Sequence, residues 1–325
     1  MLRWLLVALV LAAPLTSAAQ DPKPGKVARI GRLSPLSAET DGPNLAAFRK
    51  GLRERGWVEG RHFTIEARFA DGKADRLPQV AADLVRQGVD MILAGSNPGA
   101  LAARRATTTI PIVMVTTGDP VAGGIVSSLA RPGGNVTGVT ALGQALNAKR
   151  LELIKEAVPG VTRVAVLLNP ASPYTPPFLA ERAGTARALG LQLPLLEARD
   201  AGAFDAAFAA LPTEHAGALL VQNDPLFLSH RRRLIELVAK TRLPAVYGER
   251  AFVDAGGLMF YGAGLVDMYE QAAIYADKIL KGARPADLPV EQPTKLELVI
   301  NLRAARTLGL TIPPSLLARA DEIVE

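Results

Sequence analysis

Small polar residues recur in this 325-residue chain wherever a short apolar run gives way to a helix-forming segment. Ser34 and Ser37 follow the first run, Ser96 and Asn97 the third, and Thr116, Thr117 and Asp119 the fourth. In the second half the same places hold Asn169 and Ser172, then Asn223 and Asp224, then Tyr247 and Glu249. Backbone N–H groups at a helix start attract an anion such as a carboxylate, and hydroxyls and amides add donors without bulk. Asp224 and Glu249 are acceptors suited to an ammonium, while Tyr174, Phe227 and Tyr247 could cover an apolar or aromatic body. Each residue also has a plainer reading. Ser96-Asn97 before Pro98 and Asp224 before Pro225 look singly like helix N-caps, and Tyr247 and Phe227 like packing residues. Repetition at several strand ends in both halves is what favours ligand capture.

Signatures of catalysis are missing. There is no G-x-S-x-G elbow, no G-x-x-x-x-G-K and no G-x-G-x-x-G after the first strand. The three histidines, His62, His215 and His230, fall in a turn, a loop and a helix start without metal-ligand spacing, and read as exposed. No cysteine is present, which excludes a disulfide framework, a thiolate metal site, a cysteine nucleophile and a lipid-modified N-terminal cysteine. No cofactor, metal or catalytic residue is expected.

These loops must be held by the elements between them. Apolar runs at Val27–Pro35, Phe63–Ala70, Asp90–Gly95, Ile110–Thr116 and Asn135–Thr140 read as strands. Helices are expected at Leu45–Arg55, Ala74–Gln87, Pro98–Ala106 and, shorter, Val121–Ala130. The pattern then restarts, with strands at Val164–Asn169, Leu191–Ala198, Gly217–Asn223 and Pro244–Gly248. The helices between them are Arg150–Val158, Pro177–Leu189, Phe204–Leu211 and Leu226–Thr241. Such alternation means mostly parallel sheets with helices on both faces, and ligands bind such sheets beyond the carboxyl ends of the strands.

Arg131-Pro132-Gly133-Gly134 marks a turn near the end of the first unit. A strand at Gly256–Gly262, a long helix at Leu265–Leu280, a late strand at Leu296–Asn301 and a terminal helix at Ser315–Val324 are surplus to two simple lobes. The chain is therefore expected to cross back. The N-terminal lobe would comprise residues 27–139 plus 258–288, and the C-terminal lobe residues 140–257 plus 289–325.

The first nineteen residues read as a secretory signal peptide. Arg3 precedes an apolar run from Leu5 to Ala13, and Ser17 and Ala19 stand at −3 and −1 of a cut before Gln20. The run is shorter than the roughly 20 residues a membrane span needs. Export without disulfides or a lipidated cysteine suggests a freely diffusing periplasmic protein, expected to be a monomer. Net charge is +6, of which Arg3 supplies one, but the basic residues are scattered and the longest run is Arg231-Arg232-Arg233. That run reads as a solvated helix face, and no nucleic-acid partner is expected.

GDPVAGGIV, RPGGNVTGV and the terminal TLGLTIPPSLLARADE, with IGRLSPLSAETDGPN, GSNPGALAARRATTTIPIVM, KRLELIKEAVPGVTRVAVLLNP and AGGLMFYG between them, resemble ABC-transporter substrate-binding proteins of the tryptophan/tyrosine-uptake type. The resemblance covers nearly all of the chain beyond the leader. It implies a type I periplasmic-binding fold, with two doubly wound lobes, three crossovers and hinge closure around a ligand. It also implies an inner-membrane ABC permease as partner. Carried over residue by residue, Ser96, Asn97, Thr116 and Thr117 match ligand loops of the first lobe, and Asn169 and Asp224 those of the second. An amino-acid ligand would place its carboxylate on Ser96, Asn97 and Thr117 and its ammonium on Asp224, with Glu249 a second candidate. Two other classes stay open: a ligand sensor reporting to a membrane kinase, and an exported hydrolase.

Overall fold

The computed structural model describes residues 26–143, 146–173 and 175–325. The expected leader and Tyr174 lie outside them. The first lobe begins with strand β1 (Ala28–Ser34), helix α1 (Ala38–Arg53), β2 (Phe63–Phe69), α2 (Leu77–Arg86), β3 (Met91–Gly95), α3 (Ser96–Ala106), β4 (Ile112–Thr116) and β5 (Val136–Thr140). Its five strands are all parallel, in the order β2-β1-β3-β4-β5.

Strands β3, β4 and β5 are buried along their whole length, as unbroken apolar runs demand when both faces are covered. The period of two still sorts the side chains. Met91 and Leu93 join the cluster around Phe48 of α1, while Ile92 and Ala94 join the one around Val80 and Leu84 of α2.

The second lobe runs through α4 (Leu146–Ala157), β6 (Val164–Leu168), α5 (Thr175–Leu189), β7 (Leu195–Glu197), α6 (Phe204–Ala209), α7 (Leu211–Glu214), β8 (Ala218–Val221), α8 (Pro225–Ser229), α9 (Arg231–Thr241), β9 (Ala245–Tyr247), α10 (Ala251–Asp254) and β10 (Met259–Gly262). Helix α11 (Leu265–Leu280) then returns to pack on α1, β4 and β5. Its approach is close: a Cβ on Gly51 would stand 2.7 Å from the Cβ of Ala273. The next segment stays with the first sheet, where Glu291 bridges Val139 in parallel and its N–H donates to the Gly138 carbonyl at 3.0 Å.

The chain crosses a third time into β11 (Glu297–Asn301), α12 (Leu302–Leu308), α13 (Pro314–Leu317) and β12 (Glu322–Val324). The second sheet has seven strands in the order β12-β11-β10-β9-β8-β6-β7, with β10 and β11 its one antiparallel pair. The crossings therefore lie between Thr140 and Leu146, between Gly262 and Leu265, and between Glu291 and Glu297.

Several expectations are corrected. Residues 258–262 were expected in the first lobe, but Met259–Gly262 pairs with both β9 and β11 and belongs to the second sheet. Residues 289–291 were expected in the second lobe, but Val290 and Glu291 bond to Leu129 and Gly138 of the first. The Val121–Ala130 segment forms turns instead of a helix, with the Asp119 carboxylate taken up by the N–H groups of Val121 and Ala122.

The terminal helix is short, and Glu322–Val324 pairs with Val299–Asn301 as an edge strand. Helix α1 starts seven residues before the expected Leu45, at Ala38, because Ser37 caps it by accepting from the Thr40 N–H. The Leu226–Thr241 helix is broken in two at His230.

The lobes touch across the cleft. Leu36 of the first lobe is part of the apolar cluster around Phe227 and Tyr247 of the second. At the rim, Arg231 donates to the Thr40 hydroxyl at 3.3 Å, and Arg232 stands 3.6 Å from Glu39. The run stays largely solvated, as expected, and two of its residues also reach the opposite lobe. The third, Arg233, pairs with Asp205 and lies over the Phe204 ring.

Candidate functional site

The carboxyl ends of β1, β3 and β4 face those of β8 and β9 across an interlobe cavity. The first lobe contributes Pro35 and Leu36 after β1, Asn44 of α1, Gly95 and Ser96 at the β3–α3 junction, and Val115 and Thr117 around the end of β4. The second contributes Asp224, Pro225 and Leu228 after β8 and Glu249 after β9, while Leu265 and Tyr269 come from α11. One side thus carries neutral hydroxyl and amide groups, the other two carboxylates, with an apolar belt of Leu36, Val115, Leu228 and Leu265 between them.

Local structure explains these positions. Ser96 has a left-handed backbone, φ +63°, and opens α3, where its Oγ accepts from the Gly99 N–H at 3.3 Å. Gly95 beside it admits no side chain: a Cβ would stand 2.7 Å from the Tyr269 hydroxyl and 3.0 Å from the Arg32 guanidinium. Asp224 caps α8 by accepting from the Leu226 N–H at 2.9 Å, and Asn169 Nδ2 lies 3.4 Å from the same oxygen. The capping reading and the cavity reading thus both apply to Ser96 and Asp224.

Burial pushes the Asp224 carboxyl above the usual carboxylate range, against the pull of the Leu226 N–H and Asn169. Glu249 is pushed up to about 7 by burial, opposed by Arg150 and by the hydrogen bond from Asn223. Asn223 Nδ2 donates both to Glu249 Oε1 and to the Gly248 carbonyl, each at 3.1 Å.

The other expected site residues stand elsewhere. Ser34 is sealed in the core and accepts from the Leu36 N–H at 3.2 Å. Ser37 caps α1. Asn97 is buried with its amide directed to the Asp119 carbonyl at 3.2 Å, and Asp119 holds the turn that follows it. Thr116 is buried at the end of β4, behind the cavity. Asn169 and Ser172 line an outer groove between the lobes, which His230, expected to be exposed, also lines. Tyr247 is fully buried and stacked on Phe252, with ring centroids 4.7 Å apart, so it packs the second lobe.

Two buried arginines escape a reading by motif. Arg32 sits in β1 with all five of its N–H donors engaged. Nε and Nη2 hold Asp41, Nη2 also meets the Tyr269 hydroxyl at 2.6 Å, and Nη1 donates to the carbonyls of Leu33 and Leu93. It therefore has nothing left for a ligand. A charged residue inside an apolar strand run was the available signal, since a strand covered on both faces must pair such a charge. Arg150 lies in α4 and donates to the carbonyls of Tyr261 and Gly143 and to Asn147 Oδ1. Gly143 and Asn147 are close to it in sequence, but Tyr261 is 111 residues away and is brought to it by the packing of α4 on β10.

Among the described residues no cluster of three or more His, Asp or Glu side chains is placed to hold a metal. No helix among them is long and apolar enough to cross a membrane. The arrangement suits a zwitterion: donors and a helix start on one wall, anionic acceptors on the other, and an apolar belt between.

Comparison with known proteins bears on the same cleft. A family model described as ABC transporter substrate binding protein matches residues 35–324. The tyrosine-binding protein of Clostridioides difficile (strain R20291) is 26% identical over 280 residues, covering 85% of this chain and 80% of that protein. A conserved domain protein from Vibrio cholerae superposes with a TM-score of 0.85 at 28% identity, over 92% of this chain and 100% of that one. A domain from Streptococcus pneumoniae crystallised in complex with L-Trp gives a TM-score of 0.85 at 26% identity, again over 92% of this chain and 100% of that one.

Proposed function

The chain belongs to the ABC transporter substrate-binding protein family, and from that premise we propose that its ligand is an α-amino acid with an apolar or aromatic side chain, held between the lobes. The family fixes the frame. The protein is a solute receptor and not an enzyme, it works outside the cytoplasm, and its partners are a small-molecule solute and a membrane permease.

The observation that carries the ligand reading is the polarity of the cavity. Asp224 and Glu249 face Ser96, Thr117 and Asn44 across the apolar belt. The ammonium would meet the two carboxylates. The carboxylate would meet the start of α3, with the hydroxyls of Ser96 and Thr117 beside it. The side chain would lie against Leu36, Leu228 and Leu265. A tyrosine-binding relative and a relative crystallised with L-Trp support the aromatic choice. Because the ligand touches both walls, its contacts are complete only with the lobes together, which is what lets binding select the closed arrangement. The closed surface would then be the form presented to the permease. A leader cut after Ala19 would deliver the protein to the periplasm as a freely diffusing monomer.

Thermal unfolding of the protein against a panel of amino acids, small carboxylates and aromatic acids tests this reading. A ligand at about 100 times its Kd stabilises by about 2.7 kcal/mol. Stabilisation by L-tyrosine or L-tryptophan is the expected result, and no shift from any amino acid overturns it.

A further inference from the structure

Arg150 is almost completely buried, yet it belongs to no motif and does not line the cavity. Its guanidinium joins two crossings. Nη1 donates at 2.9 Å to the carbonyl of Gly143, in the first crossing, and Nε donates at 2.8 Å to that of Tyr261, one residue before the end of β10 and the second crossing. Asn147 fixes its angle by accepting at 2.9 Å. Two glycines leave room for it and for its neighbours. A Cβ on Gly248 would stand 1.6 Å from Asn223 Oδ1 and 2.8 Å from Arg150 Cζ, and one on Gly262 3.1 Å from the Phe260 ring and 3.2 Å from Arg150 Nη2. Gly248 is the residue before Glu249, and Asn223 ties the Gly248 carbonyl to the Glu249 carboxylate.

We propose that Arg150 is a positioning residue, which holds Glu249 as an anion at the cavity wall and links that charge to two of the three crossings between the lobes. The proposal rests on Glu249 being a ligand contact, as argued above. The groups facing Glu249 support it. Asn223 donates from the end of β8, Tyr269 lies across the cavity on α11, and Asp224 lines the same cavity from the start of α8. Behind Tyr269, Arg32 is committed to Asp41. The Arg150 guanidinium stands against Gly248, the neighbour of Glu249, and from there its charge favours the ionised carboxylate. Burial pushes Glu249 up to about 7 and Arg150 down to about 10, and each charge opposes the shift of the other. Losing the cation leaves only the Asn223 hydrogen bond against burial, so Glu249 would take up a proton more readily at neutral pH. A neutral Glu249 gives up its charge-assisted bond to an ammonium.

Carboxyl-detected NMR titration of the full chain without ligand tests this, with the Glu249 signal assigned by Glu249→Gln. The Glu249 midpoint should rise by about one pH unit or more in Arg150→Gln and stay near the wild-type value in Arg150→Lys. An unmoved midpoint in Arg150→Gln, or an equal rise in Arg150→Lys, overturns the proposal. In the wild-type protein, which needs no variant to fold, the Arg150 Nε–H resonance should shift with the same midpoint as Glu249; a flat response overturns it as well. Calorimetry with L-tyrosine and L-tryptophan decides the amino-acid reading separately. If wild type binds neither, that reading falls while the titration still decides the role of Arg150. If it binds either, Arg150→Gln should weaken binding more at pH 7 than at pH 9, and an equal loss at both pH values overturns the proposal.

Discussion

Arg32 closes a two-point fork on Asp41, with Nε 2.9 Å from Oδ2 and Nη2 2.6 Å from Oδ1, and both side chains are sealed from solvent. A buried pair of this kind is weak as a source of stability but costly to break from one side. Asp41→Ala should therefore destabilise the protein by about 3–5 kcal/mol in urea unfolding. The double variant Arg32→Met/Asp41→Leu should recover a large part of that loss. A single-variant loss below about 1 kcal/mol would mean that water reaches the stranded guanidinium.

Asp224 has two jobs that different substitutions separate. Asn caps a helix about as well as Asp, so Asp224→Asn should keep α8 and remove the charge. Asp224→Ala should also lose the cap, at about 1 kcal/mol of stability. Both should weaken an amino-acid ligand by about 10-fold or more, the scale of a hydrogen bond to a charged group. Calorimetry showing unchanged affinity in Asp224→Asn would refute the ammonium contact.

The raised Glu249 gives stability a definite pH slope. Its ordinary value is 4.5 and burial brings it up to about 7, so between those values the folded protein holds more protons than the unfolded chain. The contribution is complete below about pH 4.5 and is lost as pH rises through about 7, on the order of 3 kcal/mol at most. Asp224, shifted in the same direction, adds to the slope. Glu249→Gln should flatten it, as measured by urea unfolding at pH 5 and pH 8. An identical slope in that variant would place the titrating group elsewhere.

The sheets were readable from sequence because buried parallel strands are unbroken apolar runs with Gly- or Pro-marked ends. What failed was local in one sense and distant in another. Glu322–Val324 lacks the length and hydrophobicity of a strand and becomes one only because β11 offers it an edge. Gly42-Pro43 hid the first turns of α1, where Ser37 and the acidic residues Glu39 and Asp41 outweigh the proline. In the cavity, Ser96, Thr117, Asp224 and Glu249 were legible as polar groups at strand ends. Asn44 and Tyr269 were not, because α1 and α11 reach the cleft by packing and crossing rather than by following a strand.

Gly138 lies in β5 with φ +136°, and a Cβ there would stand 2.1 Å from the Met114 carbonyl oxygen. Gly138→Ala should break the β4–β5 ladder at its centre and cost more than about 3 kcal/mol, through strain and overpacking together. Thermal unfolding would reveal this directly, and a Tm within a degree of wild type would show that the strand can shift to make room.

The rim contacts of Arg231 and Arg232 should be a small, salt-sensitive brake on opening. The Arg232–Glu39 pair is largely exposed, so it should contribute about 0–1 kcal/mol. Arg231→Ala/Arg232→Ala should raise the open fraction of the ligand-free protein in small-angle scattering at low ionic strength. Near 1 M salt, where the Debye length falls to about 3 Å, the variant and wild type should converge. A difference that survives high salt would assign the effect to packing at Leu36 instead.

The three crossings also set a timetable for synthesis. Helix α11 and the strand segment at Glu291 reach the first sheet only after all of β6 to β10 has been made. The second sheet, in turn, waits for Glu322–Val324 at the very end of the chain. Contacts between segments so far apart in sequence form late and slowly. Here that delay is written into the connectivity, because the first lobe is complete only at Glu291 and the second only at Glu322–Val324.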